Sequence, residues 1–555
     1  MRRFFGLSIS AMLFPCAAFG QGLADSVRMQ VDRVFASWDH TDTPGCALGI
    51  SDHGRQVYAR GYGMSDLQHG LAITPLSIFH VASISKQFAA FAVGLLADDG
   101  KLSLDDDVRK YVPEIPDYGV RITIRQLIHH ISGLRDQWQL LGYSGWREDD
   151  LITEQDVLDI VSRQKGLNFS PGAEWVYSNT GYTLLAVITK RVSGQSLREF
   201  AQHRIFEPLG MSNTHFHDDH TMIVPNRTSA YQPRPEGKGW AISIPVFDTY
   251  GATSLFTTAG DLLKWMSQLD APKVGSAKLL QEAQTSAVLN DGTPTNYGFG
   301  LSIGRYRGQR VVGHGGADAG YRAQVDRYPD RGIAIAVLCN ASNSGPGALA
   351  RRVADALLGS APLEQVTMDT VRRTVSDQVR DRWVGTYRDT VSHLVLRIAR
   401  KGDTVALGDG RLIFFSSDTS AFVRGGGQGF LLRSANGRVT GITQVPKSTR
   451  SVEWRRENTY APDKNALAEF GGSYVSDELD VTYHVAVTDS GLVVRAKRID
   501  AITLQPAWTD AFSTSFDTML EFTRSGRKVD GFTISDGRAR GIRFARVIAT
   551  PSVRH

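Results

Sequence analysis

Apolar and polar positions keep two different rhythms along this 555-residue chain. Up to about residue 365, strand-like runs such as "CALGISDHGRQVYARGYG" from Cys46 mix with stretches such as "DLLKWMSQL" from Asp261 and "GALARRVADALLG" from Gly347. In the latter, apolar residues return every three or four positions, as on one face of a helix. The mixture predicts an α/β (α+β) domain. Beyond residue 365 almost every segment alternates. Short strands are predicted there, separated by turns such as Lys401-Gly402-Asp403, Gly408-Asp409-Gly410 and Asn436-Gly437.

The alternating region also repeats itself. "WVGTY" at 383–387 is answered by "FGGSY" at 470–474, an offset of 87 residues. "GRVTGIT" at 437–443 is answered by "RKVDGFT" at 527–533, and "VEWRR" at 452–456 by "IRFAR" at 542–546, each at an offset of 90. Three landmarks in register predict two copies of one all-β unit, closed or nearly closed antiparallel barrels, joined by the polar linker "RENTYAPDKNALAE". The expected domains are therefore 21–365, 366–457 and 458–555.

Residues 1–20 read differently. Arg2-Arg3, the apolar "FFGLSISAMLF" and small residues up to Gly20 have the form of a secretory signal, which places the mature protein in the periplasm or outside the cell. Phe14 and Pro15 before Cys16 are poor substitutes for the small residues of a lipoprotein cleavage site. No other run is long and apolar enough to span a bilayer, so no stable membrane insertion is expected after cleavage. Losing Arg2 and Arg3 lowers the formal charge from +5 to +3, too small and too dispersed to suggest nucleic acid as a partner. Cys46 and Cys339 remain, both in apolar runs; the default is two buried thiols, and a disulfide is compatible with export. Oligomeric state is not legible.

Chemistry enters at "HVASISKQFAAFAVGLLADDG", residues 80–100. Phe88, Phe91 and Leu95 mark a core-facing helix stripe, ended by Asp99-Gly100. Its start is polar, and Ser83 and Lys86, three apart, share one face. An amine held beside a hydroxyl at a helix N-terminus can take its proton, activating it as a nucleophile. Alone, the pair reads equally as a serine cap followed by a surface lysine. Context comes from "EWVYSNTGYTLLAVI", with Tyr177-Ser178-Asn179 ahead of a helical run, and from "RVVGHGGADAGYRAQV", with His314-Gly315-Gly316 between strand-like runs.

SxxK, YxN and HxG in this order resemble the serine β-lactamase and penicillin-binding-protein superfamily, in its class C-like, esterase and D-aminopeptidase branch. "HHISGLRD", "TTAGDLLKW", "YGFGL" and "FEPLGMSNTHF" are similar to supporting phrases of that family, over residues 28–360. The resemblance implies an antiparallel sheet flanked by helices, an acyl-enzyme on Ser83, and proton transfer shared by Lys86 and Tyr177, either of which could be the base. It implies a substrate-touching amide at Asn179, and an oxyanion hole from the backbone N–H groups of Ser83 and Ala317. Gly315 and Gly316 would leave a strand edge bare for the substrate. His314 takes the place of a lysine; being largely neutral at pH 7, it weakens recognition of carboxylates. With two lipocalin-like barrels, the whole resembles the D-aminopeptidase architecture.

The expected function is thus an exported serine hydrolase acting, without cofactor, on small esters or D-amino acid amides and short peptides. Alternatives are a penicillin-binding protein or β-lactamase acylated by β-lactams, and a cell-wall ligand-binding adaptor. In the D-aminopeptidase a loop of the last barrel offers an acid to the substrate amine; the matching region here, "DAFSTSFDTMLEFTRSGRK", leaves little room for such a loop, with Asp510 or Asp517 as the substitutes. "HFHDDH" at 215–220 has zinc-ligand types, but no further histidine follows before His314 and a surface turn is expected at this place, so no metal is predicted. His129 and His130 are expected to be structural.

Overall fold

The computed structural model describes residues 22–147, 149–359, 372–423, 429–445, 451–514 and 518–547. The proposed signal segment and the boundary expected at 365 fall outside them. The N-terminal domain is built on a six-stranded antiparallel sheet. Its strands are β1 (Cys46–Asp52), β2 (Arg55–Tyr62), β3 (Ser302–Tyr306), β4 (Gln309–Asp318), β5 (Tyr321–Tyr328) and β6 (Ile333–Cys339), in the order β3-β4-β5-β6-β1-β2. Both faces are covered, which explains why β6 is written as an unbroken apolar run. Ile335, Val337 and Cys339 face Val31, Leu349 and Val353 of helices α1 (Asp25–Val34) and α5 (Pro346–Leu358), while Ala334, Ala336 and Leu338 belong to the main core. That core holds α2 (Ser85–Asp98), α3 (Asn179–Ser193) and α4 (Ala259–Gln268). Cys46 and Cys339 lie opposite each other across β1 and β6 and form a disulfide. No helix of the described residues is long and apolar enough to cross a membrane.

The alternating region forms two closed eight-stranded antiparallel barrels, the first from Gly385–Asp389 to Val452–Arg456 and the second from Gly472–Ser476 to Ile542–Arg546. The repeat seen in the sequence is an atomic repeat. The Tyr387 hydroxyl donates to the Trp383 carbonyl at 2.8 Å, and that of Tyr474 to the Phe470 carbonyl at 2.8 Å. Arg456 and Arg546 lie 5.9 and 5.8 Å over the same two rings. The linker is not wholly irregular: Lys464–Ala468 is a short helix, capped by Asp463.

Candidate active site

Ser83 sits in a single tight turn, Ala82–Ile84, that runs straight into α2. The turn is fixed from outside the helix: the Val81 amide donates to the Leu255 carbonyl at 2.9 Å, and the Leu255 amide to the Ser85 hydroxyl at 2.9 Å. Ala82 is held at φ 47°, a left-handed value that a non-glycine residue adopts only under constraint. A Cβ at Gly316 would come 2.2 Å from the Val81 carbonyl oxygen, so glycine is what lets β4 lie against the nucleophile turn. β3 pairs with β4 only from Gln309 to Gly313. Beyond that register Gly315, Gly316 and Ala317 present an edge with no strand beside it among the described residues, half-buried at the glycines and exposed at Ala317.

The polar start of α2 is explained by what each side chain meets. Ser85 links the Ala82 carbonyl to the Leu255 amide, and Gln87 accepts from the Trp265 indole at 2.7 Å. Lys86 is fully buried, and its Nζ donates to Ser83 Oγ at 3.1 Å, Asn179 Oδ1 at 2.7 Å and the Ala252 carbonyl at 2.6 Å. Loss of hydration lowers its pKa to about 7; Asp318 and Asp136 oppose this shift, and Arg538 adds to it. Asn179 is the first residue of α3. Its orientation is set by Asp136, whose Oδ2 accepts from the Asn179 backbone amide at 2.6 Å and from its side-chain Nδ2 at 2.8 Å, leaving Oδ1 for the lysine.

The Tyr177 ring lies 4.8 Å from Lys86 Nζ. Burial pushes the phenol's pKa up, against the opposing effects of a hydrogen bond with Ser83 and the charge of Arg538. Its ring packs on His130, which is buried and accepts from the Ser178 amide at 3.1 Å. His129, also buried, bonds the Tyr297 carbonyl at 3.0 Å. His314 is buried and shifted down to about 4 by desolvation, with the charge of Lys86 adding to the shift. Its Nδ1 pairs with the Gly315 carbonyl, which fixes the proton there and leaves Nε2 to accept from the Tyr297 hydroxyl at 3.0 Å. His314 therefore presents no charge to the cleft.

Ser83, Lys86, Tyr177, Asn179, His314 and the 315–317 edge are thus brought to one place. The sequence did not single out Asp136, Tyr297, Ala252 or Asp318 individually, although Asp136 and Tyr297 stand inside the phrases "HHISGLRD" and "YGFGL". Two expectations change. Asp510 is not at this site: it pairs with Arg524 at 2.8 Å, while Asp517 lies outside the described residues. The barrel does enter the cleft, but through the loop after Lys528–Ser535, and it brings Arg538 rather than an acid. The stretch 215–220 is no simple surface turn either, since His217 is buried beside Phe256; of its three histidines only His220 is exposed, paired with Asp248 at 3.0 Å. Among the described residues no group of three or more His, Cys, Asp or Glu could hold a metal ion.

The Beta-lactamase family model matches residues 31–360. The chain belongs to the β-lactamase family. It is a serine hydrolase of that family, continued by two barrels. Similar relatives include the D-aminopeptidase of Cereibacter sphaeroides (strain ATCC 17023), 25% identical over 531 residues, covering 91% of this chain and 96% of that protein. The D-aminopeptidase of Brucella anthropi is 27% identical over 363 residues, 65% of this chain and 67% of that protein. Among solved structures, an octameric penicillin-binding protein homologue from Pyrococcus abyssi superposes with a TM-score of 0.56 at 24% identity, over 78% of this chain and 99% of that one. The D-amino acid amidase of Ochrobactrum anthropi SV3 gives 0.52 at 23% identity, over 60% and 99%. The last two likenesses concern the fold.

Proposed function

We propose that the protein hydrolyses small D-amino acid amides, short D-peptides and simple esters through an acyl-enzyme on Ser83, outside the cytoplasm. The observation that carries this reading is the buried Lys86 amine, 3.1 Å from Ser83 Oγ; desolvation lowers its pKa to about 7, which favours the free base the mechanism needs. Lys86 takes the Ser83 hydroxyl proton as Oγ bonds to the substrate carbonyl carbon. The charge that develops on the carbonyl oxygen is received by the backbone N–H groups of Ser83 and Ala317. When the C–N or C–O bond breaks, Tyr177 donates its proton to the leaving atom and recovers one from Lys86. Water then loses a proton to the same base, attacks the ester carbon and returns Ser83 to its hydroxyl form. Tyr177 serves as donor, not as base, because burial keeps its phenol protonated.

The names of the relatives, D-aminopeptidase and D-amino acid amidase, support the substrate class. The Cys46–Cys339 disulfide, with the signal-like residues 1–20, supports export, since disulfides persist in oxidising compartments. The test is turnover by the purified protein of D-alanine amide, D-alanyl dipeptides, p-nitrophenyl acetate and a chromogenic cephalosporin, with mass spectrometry of the Ser83 adduct. The reading expects turnover of amides, peptides and esters, all lost in Ser83→Ala. A stable stoichiometric penicillin adduct without turnover of the others would replace it with a penicillin-binding protein, and labelling that persists in Ser83→Ala would remove Ser83 from the mechanism.

A further inference from the structure

The loop between strands Lys528–Ser535 and Ile542–Arg546 of the second barrel is locked onto the rim of the cleft. Inside it, Asp536 Oδ1 accepts from the amides of Arg538 at 2.6 Å and Ala539 at 2.7 Å, and its Oδ2 accepts from the Tyr143 hydroxyl of the N-terminal domain at 2.6 Å. The Arg538 carbonyl accepts from the Asp136 amide at 3.1 Å and from Asn168 Nδ2 at 2.8 Å, while Arg540 pairs with Glu174 at 3.1 Å. The backbone of Arg538 is therefore held by the residue that also orients Asn179.

The charge of Arg538 reaches the buried Asp136 carboxylate, but its N–H groups have no side-chain hydrogen-bond partner among the described residues. The guanidinium carbon stands 5.0 Å from the centre of the Tyr177 ring, the residue is exposed, and the group makes no ion pair or hydrogen bond with any described side chain. A guanidinium that lies over an aromatic ring and has no side-chain partner for its N–H groups can receive a carboxylate through two parallel hydrogen bonds. His314, by contrast, offers no charge.

We propose that Arg538 is a specificity residue that receives a carboxylate on the leaving-group side of the scissile bond, so that short peptides with a free C-terminus are preferred to their amides. The placement rests on the reading above, in which Tyr177 hands a proton to the leaving nitrogen. The leaving group then lies alongside Tyr177, and a carboxylate on the same residue, two bonds from the leaving nitrogen, comes within reach of the cation that lies over that ring. A substrate amine at this place would meet repulsion. The barrel returns to the cleft the fixed positive charge that histidine at 314 withholds.

The test compares kcat/KM for D-alanyl-D-alanine and D-alanyl-D-alaninamide in the full-length protein, in R538K and in R538A. A charge-assisted bidentate pair predicts a roughly 10- to 100-fold preference for the free acid, expressed in KM. R538K should keep part of that preference, and R538A should lose it. Equal rates on the two substrates in the unaltered protein, an unchanged preference in R538A, or an equal loss on both substrates would overturn the proposal, the last by showing a purely structural loop. Should neither be turned over, protection of Ser83 from a neutral fluorophosphonate by the same two compounds reads the preference as binding. A protein labelled without differential protection refutes the role of Arg538, whereas the absence of any Ser83 labelling refutes the hydrolase reading beneath it.

Discussion

The two barrels are copies that have been put to different uses. Both close with eight strands, both bond the tyrosine hydroxyl to the carbonyl four residues earlier, and both turn the chain at a residue with positive φ, His393 at 62° and Asp480 at 52°. At the offset of 87 residues shared by those turns, Val391 of the first barrel is 56% exposed. Its counterpart Glu478 is buried and paired with Arg135 of the N-terminal domain. The interior of the first barrel, around Trp383, Phe430 and Trp454, is a separate cluster. That of the second, around Phe470, Phe522 and Phe532, is continuous with the core of the N-terminal domain. The first barrel meets the second through Val395 packed with Trp508 and Met519, and through Arg388 paired with Glu521 at 2.8 Å. Inward-facing residues preserve a barrel; the residues at its loops decide whether it becomes part of a neighbouring site.

The proposed mechanism and the proposed role of Arg538 place chemistry in the N-terminal domain and selectivity in the second barrel, and the sharpest way to break that division is at Lys86. Lys86→Ala should lower turnover at least about 10²-fold on acids, amides and esters alike, because it removes the base rather than a substrate contact. A loss confined to one substrate class would blur the division. In the unaltered protein kcat/KM should rise with pH through an apparent pKa near 7, as the lysine loses its proton, with no step from His314 above about pH 5. A rate independent of pH between 6 and 8 would reject Lys86 as the base.

Glu478→Ala tests the docking. Side chains of Glu478 and Arg135 are each 5% exposed, and removing the acid leaves a buried cation without its carboxylate, a cost of about 3–5 kcal/mol. Urea unfolding of the second barrel should shift accordingly, with substrate preference blurred before Ser83 stops reacting. The matched change Val391→Ala should stay within about 0.5 kcal/mol and leave selectivity alone; an equal effect from the two would mean that the copies are not used differently. Smallest of all is the expected effect of chelation on activity, none, since no metal-binding group is present among the described residues; loss of activity on metal removal would contradict the proposed mechanism.

Ser83 and Lys86 stood out because their spacing puts two side chains on one face, but their roles, like those of Tyr177, Asn179 and His314, came from the resemblance of the three ordered motifs to a known family. The repeat was legible because barrel interiors demand strict alternation and the same turns. Spacing alone could not reach Asp136, Tyr297 or Asp318, whose importance lies in what they touch across the fold rather than along the chain. Nor could it settle Cys46 and Cys339: two apolar strands contain them, and only the register that sets β1 against β6 makes them opposite partners.

The sequence by itself determined the mixed α/β fold class and the duplicated barrels, since periodicity and local spacing are properties of neighbours along the chain, while the candidate site residues came from the resemblance of three ordered motifs to a known family. Which barrel enters the cleft, and with which charge, was decided by the tertiary structure. Arg538 is one arginine among many in polar turns, and the acid expected from 510 is already paired with Arg524. The lowered pKa of Lys86 likewise follows from burial against residues 93 and 166 positions away, because desolvation depends on everything packed around a group rather than on what precedes it.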